Sequence, residues 1–245
     1  MLKPANLFLI SILFTCFSTS IHGQTANNSL YEAFDKTVGK NNSGLNNGKI
    51  HLNTLRQIND THRYFGIDKY RTGNVIYDNQ EYTGVSLKYD VLNDVLISKV
   101  NGENNTIGIN LIRDKTAAFY LDGKKFVNLN FGNPTVPSFV NGFYEEYTEN
   151  SKLALFTKFS KTKVEVLQND GVFYRFEQNI EYILGYQGNY YRINSAKDAI
   201  RILPEQEKNI NDYYGMNAAM ERTDKPMFMK NLIKYISNFL PTPTN

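Results

Sequence analysis

The sequence predicts a mainly β fold of the α+β class, with one antiparallel sheet of about ten strands and helices packed on it. Three observations predict it. Apolar and polar residues alternate through most of the stretch from Tyr77 to Ile193. Asn, Asp and Gly interrupt this alternation at short intervals, as hairpin turns do. After Ile193 the apolar period becomes helical. We therefore expect a curled sheet, an open barrel or a sandwich, with a short N-terminal helix and C-terminal helices.

The stretch from Tyr77 to Val100 shows the strand pattern most clearly, and the rest of the chain is expected to be organised around it. Asp78-Asn79 and Asn101-Gly102 supply turns, because these residue types accept positive φ angles. Alternate side chains of the first strand face opposite sides of the sheet: Val85, Leu87 and Tyr89 against Ser86, Lys88 and Asp90. The second strand, from Asp94 to Val100, is apolar on both faces, which indicates a more central position in the sheet.

Further strands are predicted by the same alternation on both sides of an interruption at residues 131–142, which contains two prolines and two glycines. That interruption is expected to cross an edge or an end of the sheet. The predicted strands are Thr106 to Ile112, Ala117 to Leu121, Phe126 to Leu129, a strand starting at Phe143, Lys152 to Val166, Val172 to Phe176, Tyr182 to Tyr186 and Tyr190 to Ile193.

Helices are predicted at both ends of the sheet. Ser29 and Glu32 form a capping box for a short helix that ends at Gly39. Ser195, with Asp198 three residues later, begins a helix after the last strand. The final helix has Thr223 or Asp224 as its N-cap and Pro226 in its first turn. Its apolar face comprises Phe228, Leu232, Tyr235, Ile236 and Phe239.

Four sequence runs carry a resemblance to a known family: Leu45-Asn46-Asn47-Gly48, His62-Arg63-Tyr64-Phe65, the Tyr-rich run YDNQEYTGVSLKYDVLNDVLI and the later GFYEEY. Together they resemble uncharacterised secreted proteins of Bacteroidota that share a Tyr-rich pattern centred on LKYD. The resemblance covers most of residues 45–203. It implies a β-rich body and an envelope or secreted location, and it carries no activity or catalytic residue over to this chain.

Residues 1–23 have the pattern of a secretory signal peptide. A short polar segment with Lys3 precedes the apolar run from Leu7 to Phe17, and a small-residue exit leads to Gly23. The apolar run is too short for a membrane-spanning helix, which needs about 20 residues. A lipoprotein signal at Cys16 is disfavoured because Thr15, and not Gly or Ala, precedes the cysteine. We expect residues 24–245 to form a single β-rich domain that is periplasmic, outer-membrane-associated or extracellular.

Loss of the signal peptide limits the chemistry of the mature chain. Cys16 is the single cysteine, so its removal leaves no thiol for a disulfide, a nucleophile or a metal ligand. The chain has 27 Lys and Arg against 24 Asp and Glu, and loss of Lys3 leaves 26 against 24. The most basic stretch, Lys152 to Lys163, alternates with apolar residues as a solvated strand face does. Nucleic-acid binding is therefore not expected, nor is a membrane span in the mature protein.

The sequence assigns no catalytic, cofactor-binding or metal-binding residue. His51 and His62 lie 11 positions apart without the spacing of a zinc site, and each is expected to form hydrogen bonds at or near the surface. Glu145-Glu146, or Asp90 with Asp94, are the carboxylate pairs that could do acid–base work, but adjacent carboxylates on a strand point to opposite faces. The sequence contains no nucleophile elbow, phosphate-binding glycine loop or Ca²⁺ loop.

The 17 Tyr and 16 Phe, without any Trp, are the unusual feature of the composition. Tyrosine favours strands and half-buries well on a one-sided sheet. It also lines binding grooves. We expect an exported, non-enzymatic module that binds a protein, an apolar ligand or a glycan. The alternatives are a hydrolase with a carboxylate- or Ser-based site and a structural accessory of a surface complex.

The first prediction concerns processing. The intact mass of the exported protein is expected to match a chain that begins at or near Gln24, because the charged segment, the apolar run and the small-residue exit are all present. A mature species that retains Met1, or one with lipid attached to Cys16, would contradict this prediction.

Overall fold

The computed structural model describes residues 44–58, 60–99, 107–133, 135–150 and 153–240. The predicted signal peptide, the helix predicted from Ser29 to Gly39 and the turn predicted at Asn101-Gly102 lie outside these residues. The described part of the chain contains eleven strands in one antiparallel sheet. They are β1 (Lys49–Ile50), β2 (Arg71–Tyr77), β3 (Gln80–Asp90), β4 (Val95–Lys99), β5 (Gly108–Asn110), β6 (Thr116–Leu121), β7 (Lys124–Asn128), β8 (Phe143–Asn150), β9 (Leu153–Gln168), β10 (Gly171–Tyr186) and β11 (Asn189–Arg192).

The strand order is β1-β5-β4-β3-β2-β6-β7-β8-β9-β10-β11, so the sheet is open and β1 and β11 are its edges. It is also strongly curled. In a flat sheet β9 would lie about 24 Å from β3, because five strand spacings of about 4.8 Å separate them. The backbone N–H of Lys161 on β9 nevertheless donates to the carbonyl of Val91, which directly follows β3, at 3.3 Å. Of the predicted arrangements, the mainly β curled sheet is therefore confirmed.

The turn residues explain the local topology. Asp78-Asn79, Asp122-Gly123 and Gln187-Gly188 each have two consecutive positive φ angles. This is the geometry of the type I′ turn, which matches the twist of a hairpin. The first turn lies where the sequence predicts a turn, and the other two lie in the predicted breaks between Leu121 and Phe126 and between Tyr186 and Tyr190, so these three predictions are confirmed.

Three strands differ from the prediction, and one of them is β1, which the sequence did not predict. The sequence predicts separate strands at Val172 to Phe176 and at Tyr182 to Tyr186, whereas β10 is continuous. The polar run between them, Glu177 to Asn179, stays in register with β9 as an exposed part of a two-stranded ribbon. Polar residues do not interrupt the ladder there, because all three side chains are exposed to solvent. β2 was not predicted as a strand from Arg71 onwards; its pairing with β3 contains an irregularity between Gly73 and Val75.

Four helices follow the sheet: α1 (Ala196–Ile202), α2 (Glu207–Met216), α3 (Ala218–Thr223) and α4 (Lys225–Ser237). Ser195 caps α1 by accepting from the Asp198 N–H, and Asp224 caps α4 by accepting from the Met227 N–H. The two predicted C-terminal helices and their caps are thus confirmed, with Asp224 rather than Thr223 in the second case. Phe239 was wrongly placed on the buried face of α4, because the helix ends at Ser237 and the ring is 46% exposed. Among the described helices, none has the length and apolarity needed to cross a membrane.

Three apolar clusters occupy the two faces of the sheet. The inner cluster lies within the curl and includes Val75, Leu87, Tyr89, Phe119, Phe126, Phe143 and Phe159. The helix cluster lies on the same face, where Leu155, Tyr182 and Leu184 pack against Phe228, Leu232, Ile233 and Ile236 of α4. The outer cluster lies on the opposite face, beneath the connection between β7 and β8, and comprises Leu129, Val140, Tyr144, Phe156 and Ile183. The helices therefore contribute to the core.

A strap formed by residues 56–58 and 60–65 joins the two arms of the curl. At one end the Ile58 N–H donates to the Tyr174 carbonyl of β10 at 3.1 Å. At the other end the Phe65 N–H donates to the Tyr89 carbonyl of β3 at 2.8 Å. The Phe65 ring also packs edge-on against Phe159, with centroids 5.0 Å apart. The strap thus forms backbone hydrogen bonds with both β3 and β10, two strands that do not pair with each other in the sheet.

The carboxylate of Asp94, in the turn between β3 and β4, links the two arms of the curl through several polar contacts. Its carboxylate accepts from the Tyr89 hydroxyl at 2.6 Å, the Lys158 ammonium at 2.7 Å and the Phe143 N–H at 3.3 Å. Lys158 also donates to the Asn141 carbonyl at 2.9 Å. Gly142 lies so close that a Cβ there would overlap the Asp94 carboxylate. Its φ of +77° is likewise a glycine conformation.

The second prediction concerns Gly142. Gly142→Ala is expected to destabilise the fold by about 2 to 4 kcal/mol more than Gly132→Ala, because it displaces a largely buried ion pair as well as straining the backbone. Gly132 is the matched control, since it lies in the same connection with a φ of +64° and has open space around its Cβ position. Its own cost should be about 1 to 2 kcal/mol. Equal urea midpoints for the two variants would contradict the role given to Asp94.

Candidate functional site

Asp90 and Asp94, considered from the sequence as an acid–base pair, are each held by a different cation. Asp90 forms a buried ion pair with Arg63 at 2.6 Å, with side-chain exposures of 3% and 7%. Asp94 binds Lys158 at 2.7 Å. Both carboxylates therefore serve as structural anchors, and the geometry does not join them in one reactive centre.

Glu145 and Glu146 point to opposite faces of β8, as the strand period predicts. Glu145 is buried and accepts from Lys124 at 2.7 Å, with Lys230 of α4 at 3.4 Å. Glu146 lies on the other face and pairs with Lys125 at 2.6 Å. Each belongs to a different concave site, so the two carboxylates cannot act on one bond.

Glu145 lines the first of these sites, which we call the polar cleft. It lies between α4 and strands β7 to β9, on the same face as the helix cluster, and encloses about 160 Å³. Its lining includes Lys124, Glu145, Tyr147, Thr157, Asp224 and Lys230. Two ammonium groups offset the Glu145 charge, and Asp224 is occupied in capping α4. This arrangement fixes α4 to the sheet by charge pairing.

The two histidines take part in hydrogen bonds, as expected. The ring of His51 bonds the Asn110 side chain through Nδ1 and the Tyr64 hydroxyl through Nε2, both at 2.9 Å. His62 Nδ1 accepts from the Tyr64 N–H at 3.2 Å. Desolvation lowers the pKa of both rings, and nearby Lys161 lowers the pKa of His62 further. Within the described ranges, no cluster of three or more His, Cys, Asp or Glu side chains could hold a metal ion.

The second concave site, which we call the aromatic groove, lies on the outer face at the hairpin ends of β8 to β11. It encloses about 260 Å³. Gly185 and Ala154 form its floor, and the rings of Phe156 and Tyr190 line it. Tyr186 also borders it, but its side chain packs against the helix cluster on the other face. Polar groups at its rim come from Glu146, Thr148, Gln187 and Asn189. The groove therefore offers ring faces beside carboxamide, hydroxyl and carboxylate groups.

Small residues create the groove. Gly185 of β10 pairs with Ala154 of β9 on one side and with Tyr190 of β11 on the other. A Cβ at Gly185 would lie 2.8 Å from a ring carbon of Phe156, so only glycine leaves that ring in place. The Phe156 and Tyr190 rings lie 5.8 Å apart across this floor. Desolvation raises the pKa of Tyr190, so its phenol stays neutral and can donate a hydrogen bond.

The sequence does not predict this site, although it predicts a strand from Tyr190 to Ile193 and is rich in tyrosine, which lines binding grooves. The available signal was Gly185, an isolated glycine inside a strand pattern, which marks a close approach or a missing side chain. Its meaning depends on Ala154, which lies 31 positions earlier and meets it only through the β9–β10 register. Neither residue alone predicts a groove.

Comparison with known proteins adds no assignment. No protein-family model, no curated protein and no solved structure matches the chain. The resemblance to secreted proteins of Bacteroidota stays a prediction.

The third prediction concerns pH. Burial lowers the folded-state pKa of His51 and His62 below the ordinary value of 6.5, so the unfolded chain binds more protons as the solution is acidified through that value. The stabilisation is therefore complete well above the ordinary pKa of 6.5 and is lost as the pH falls below that value. Urea unfolding should show this decrease, and it should be smaller in the double variant His51→Gln, His62→Gln.

Asp198 also has a lowered pKa, but its contribution changes below its ordinary value of 3.8, outside this window. The double variant should keep the fold and any metal content of the parent, because the two rings do not belong to a metal cluster in the described residues. An identical pH slope in parent and variant would contradict the prediction.

Proposed function

We propose that this protein is an exported envelope or secreted binding module that acts without catalysis and holds a ring-shaped group of its partner in the aromatic groove. Export is proposed from the N-terminal sequence pattern. Binding is proposed from one observation: a groove on the outer face of the sheet runs beside the rings of Phe156 and Tyr190, over a floor where Gly185 has no side chain.

The size of the groove limits what it can hold. Ligand sites for drug-sized molecules typically enclose about 300 to 1,000 Å³. At about 260 Å³, the groove suits one ring rather than a lipid chain. Its aromatic walls favour a group with an apolar face, and its amide and hydroxyl rim favours a group with a polar edge. A tyrosine-like side chain and a single sugar ring both have this character.

The charges around the groove support binding rather than bond cleavage. The carboxylate of Glu146 at the rim is already paired with Lys125. The neighbouring amides of Gln187 and Asn189 are exposed hydrogen-bonding groups that can orient a ligand. The buried Glu145 belongs to the polar cleft on the opposite face of the sheet. The groove therefore combines stacking surfaces with hydrogen-bonding groups.

The fourth prediction tests the groove with two simple probes, N-acetyl-tyrosine amide and methyl glucoside. In NMR titrations at least one probe should shift the backbone amides of Gly185 and Gly188. Gly185→Ala should weaken the binding of that probe by about tenfold or more, which is a loss of about 1.4 kcal/mol of binding free energy. The reason is that the added methyl group forces the Phe156 ring into the groove.

Gly215→Ala is the matched control. Gly215 lies in α2 with open space around its Cβ position, so this change should leave binding as it was. Shifts that cluster away from the groove, or equal affinities for parent and Gly185→Ala, would overturn the proposed site.

A further inference from the structure

The edge strand β11 borders the aromatic groove. Along the edge that points away from β10, its backbone groups are free to pair with another chain. The Ile193 N–H donates to the Tyr182 carbonyl of β10 at 3.0 Å. Because the bonding side of a strand alternates with period two, Tyr191 and Asn189 also face β10. The N–H and C=O groups of Tyr190 and Arg192 therefore point away from the sheet. Within the described part of the chain, no backbone hydrogen bond satisfies them.

Two side chains, Tyr190 and Arg192, lie beside this open edge in a fixed order along the strand. Tyr190 and Arg192 are two positions apart, so both project from the outer face, on the same side as the groove. Tyr190 forms part of the groove wall. Arg192 is exposed, and its guanidinium lies 4.9 Å from the centroid of the Phe139 ring. It forms no ion pair with a carboxylate of the described residues, so its charge can pair with one from outside.

These features fit an extended polypeptide better than other occupants. Hydrogen-bond donors and acceptors spaced along a strand edge match the backbone of another strand, which is the basis of recognition by strand addition. A second copy of this chain fits poorly. A four-residue edge offers far less area than the roughly 1,200 Å² that stable interfaces bury, and β11 carries no carboxylate that could pair with Arg192 of another copy. A short peptide with an acidic residue needs less area and supplies that carboxylate.

We propose that β11 takes up an extended peptide of a partner protein as an additional antiparallel strand, with an acidic residue opposite Arg192 and an aromatic residue opposite Tyr190. This inference rests on the proposed function, because Tyr190 belongs to the groove. Antiparallel pairing fixes the order of the peptide residues as acidic-x-aromatic. The aromatic side chain then lies against the Tyr190 ring at the rim, as cross-strand aromatic pairs do.

The test uses two capped pentapeptides of identical composition, Thr-Asp-Val-Tyr-Thr and Thr-Tyr-Val-Asp-Thr, titrated into the full mature chain and followed by NMR. The first should bind at least about fivefold more tightly, because only its order satisfies both side-chain positions. The amides of Tyr190 and Arg192 should also gain protection from hydrogen exchange. Tyr191 should change little, since its amide already faces β10.

Backbone pairing is tested on the peptide itself. N-methylation of its Tyr removes an N–H that faces β11 and should weaken binding about five- to tenfold, the effect of about one hydrogen bond. N-methylation of its Val removes an N–H that faces away, so this peptide is the matched control. The comparison leaves the protein unchanged, so loss of folding cannot explain a difference.

Substitution at Arg192 separates charge from backbone. Arg192→Ala removes the guanidinium, whereas Arg192→Pro also removes the outward N–H without breaking a bond to β10. The proline variant should bind the first pentapeptide more weakly than the alanine variant, while both keep the dispersed spectrum of the parent.

The outcomes are distinct. Groove shifts with the simple probes, together with equal binding of both peptide orders or of both N-methyl peptides, would overturn strand addition and leave the proposed function standing. If no probe and no peptide shifts the backbone amides of the groove, the proposed function and strand addition are both overturned. Concentration-dependent dimerisation through β11 would replace the peptide with a second copy and overturn the inference.

Discussion

The fold depends on the contact between Asp94 and Lys158. A sheet of eleven antiparallel strands with two open edges has no requirement to curl tightly, since backbone pairing is satisfied between neighbours whether the sheet is flat or bent. The Asp94 carboxylate provides a reason, because it binds a turn after β3 to β9, five strands away in the sheet order. The Tyr89 hydroxyl and the Phe143 N–H donate to the same carboxylate, and Gly142, which has no side chain, leaves room for it. Desolvation lowers the pKa of Lys158, so burial opposes its charge and the carboxylate next to it offsets that effect. One partly buried ion pair therefore fixes how closely the two arms approach.

The curl divides the molecule into a filled face and an available one. On the inner face the rings of Phe119 and Phe126 stack at 4.7 Å, and Tyr89 packs edge-on against both. The helices cover the remainder of that face, where the side chains of Phe228, Leu232 and Ile236 are fully buried. On the opposite face the connection between β7 and β8 covers only the outer cluster. At the neighbouring hairpin ends of β8 to β11, the groove beside Phe156 and Tyr190 is open to solvent, so a ligand can reach the outer face but not the filled interior.

The sequence predicts the local structure well and the long-range structure poorly. Asp78-Asn79, Asp122-Gly123 and Gln187-Gly188 determine their own φ angles, so hairpins could be read directly from neighbouring residues. The caps at Ser195 and Asp224 are local in the same sense. By contrast, Asp94 and Lys158 are 64 positions apart, and no pattern in either segment indicates the other. Gly185 and Ala154 meet through a 16-residue register that the predicted break in β10 would have interrupted. The groove follows from that register, so it could not be derived before the strands were paired.

The position of β11 explains how so short an edge can act in recognition. An extended peptide loses conformational freedom on binding, and a mobile edge strand would add its own ordering cost. β11 is held at both ends. The type I′ turn at Gln187-Gly188 fixes its start, and the buried Ile193 side chain fixes its end directly before the Ser195 cap of α1. Lys225 at the start of α4 also donates to the Asn194 carbonyl at 3.0 Å. The helices therefore contribute to the binding edge indirectly, because their packing on the inner face holds β11 in an extended conformation with its outer side open.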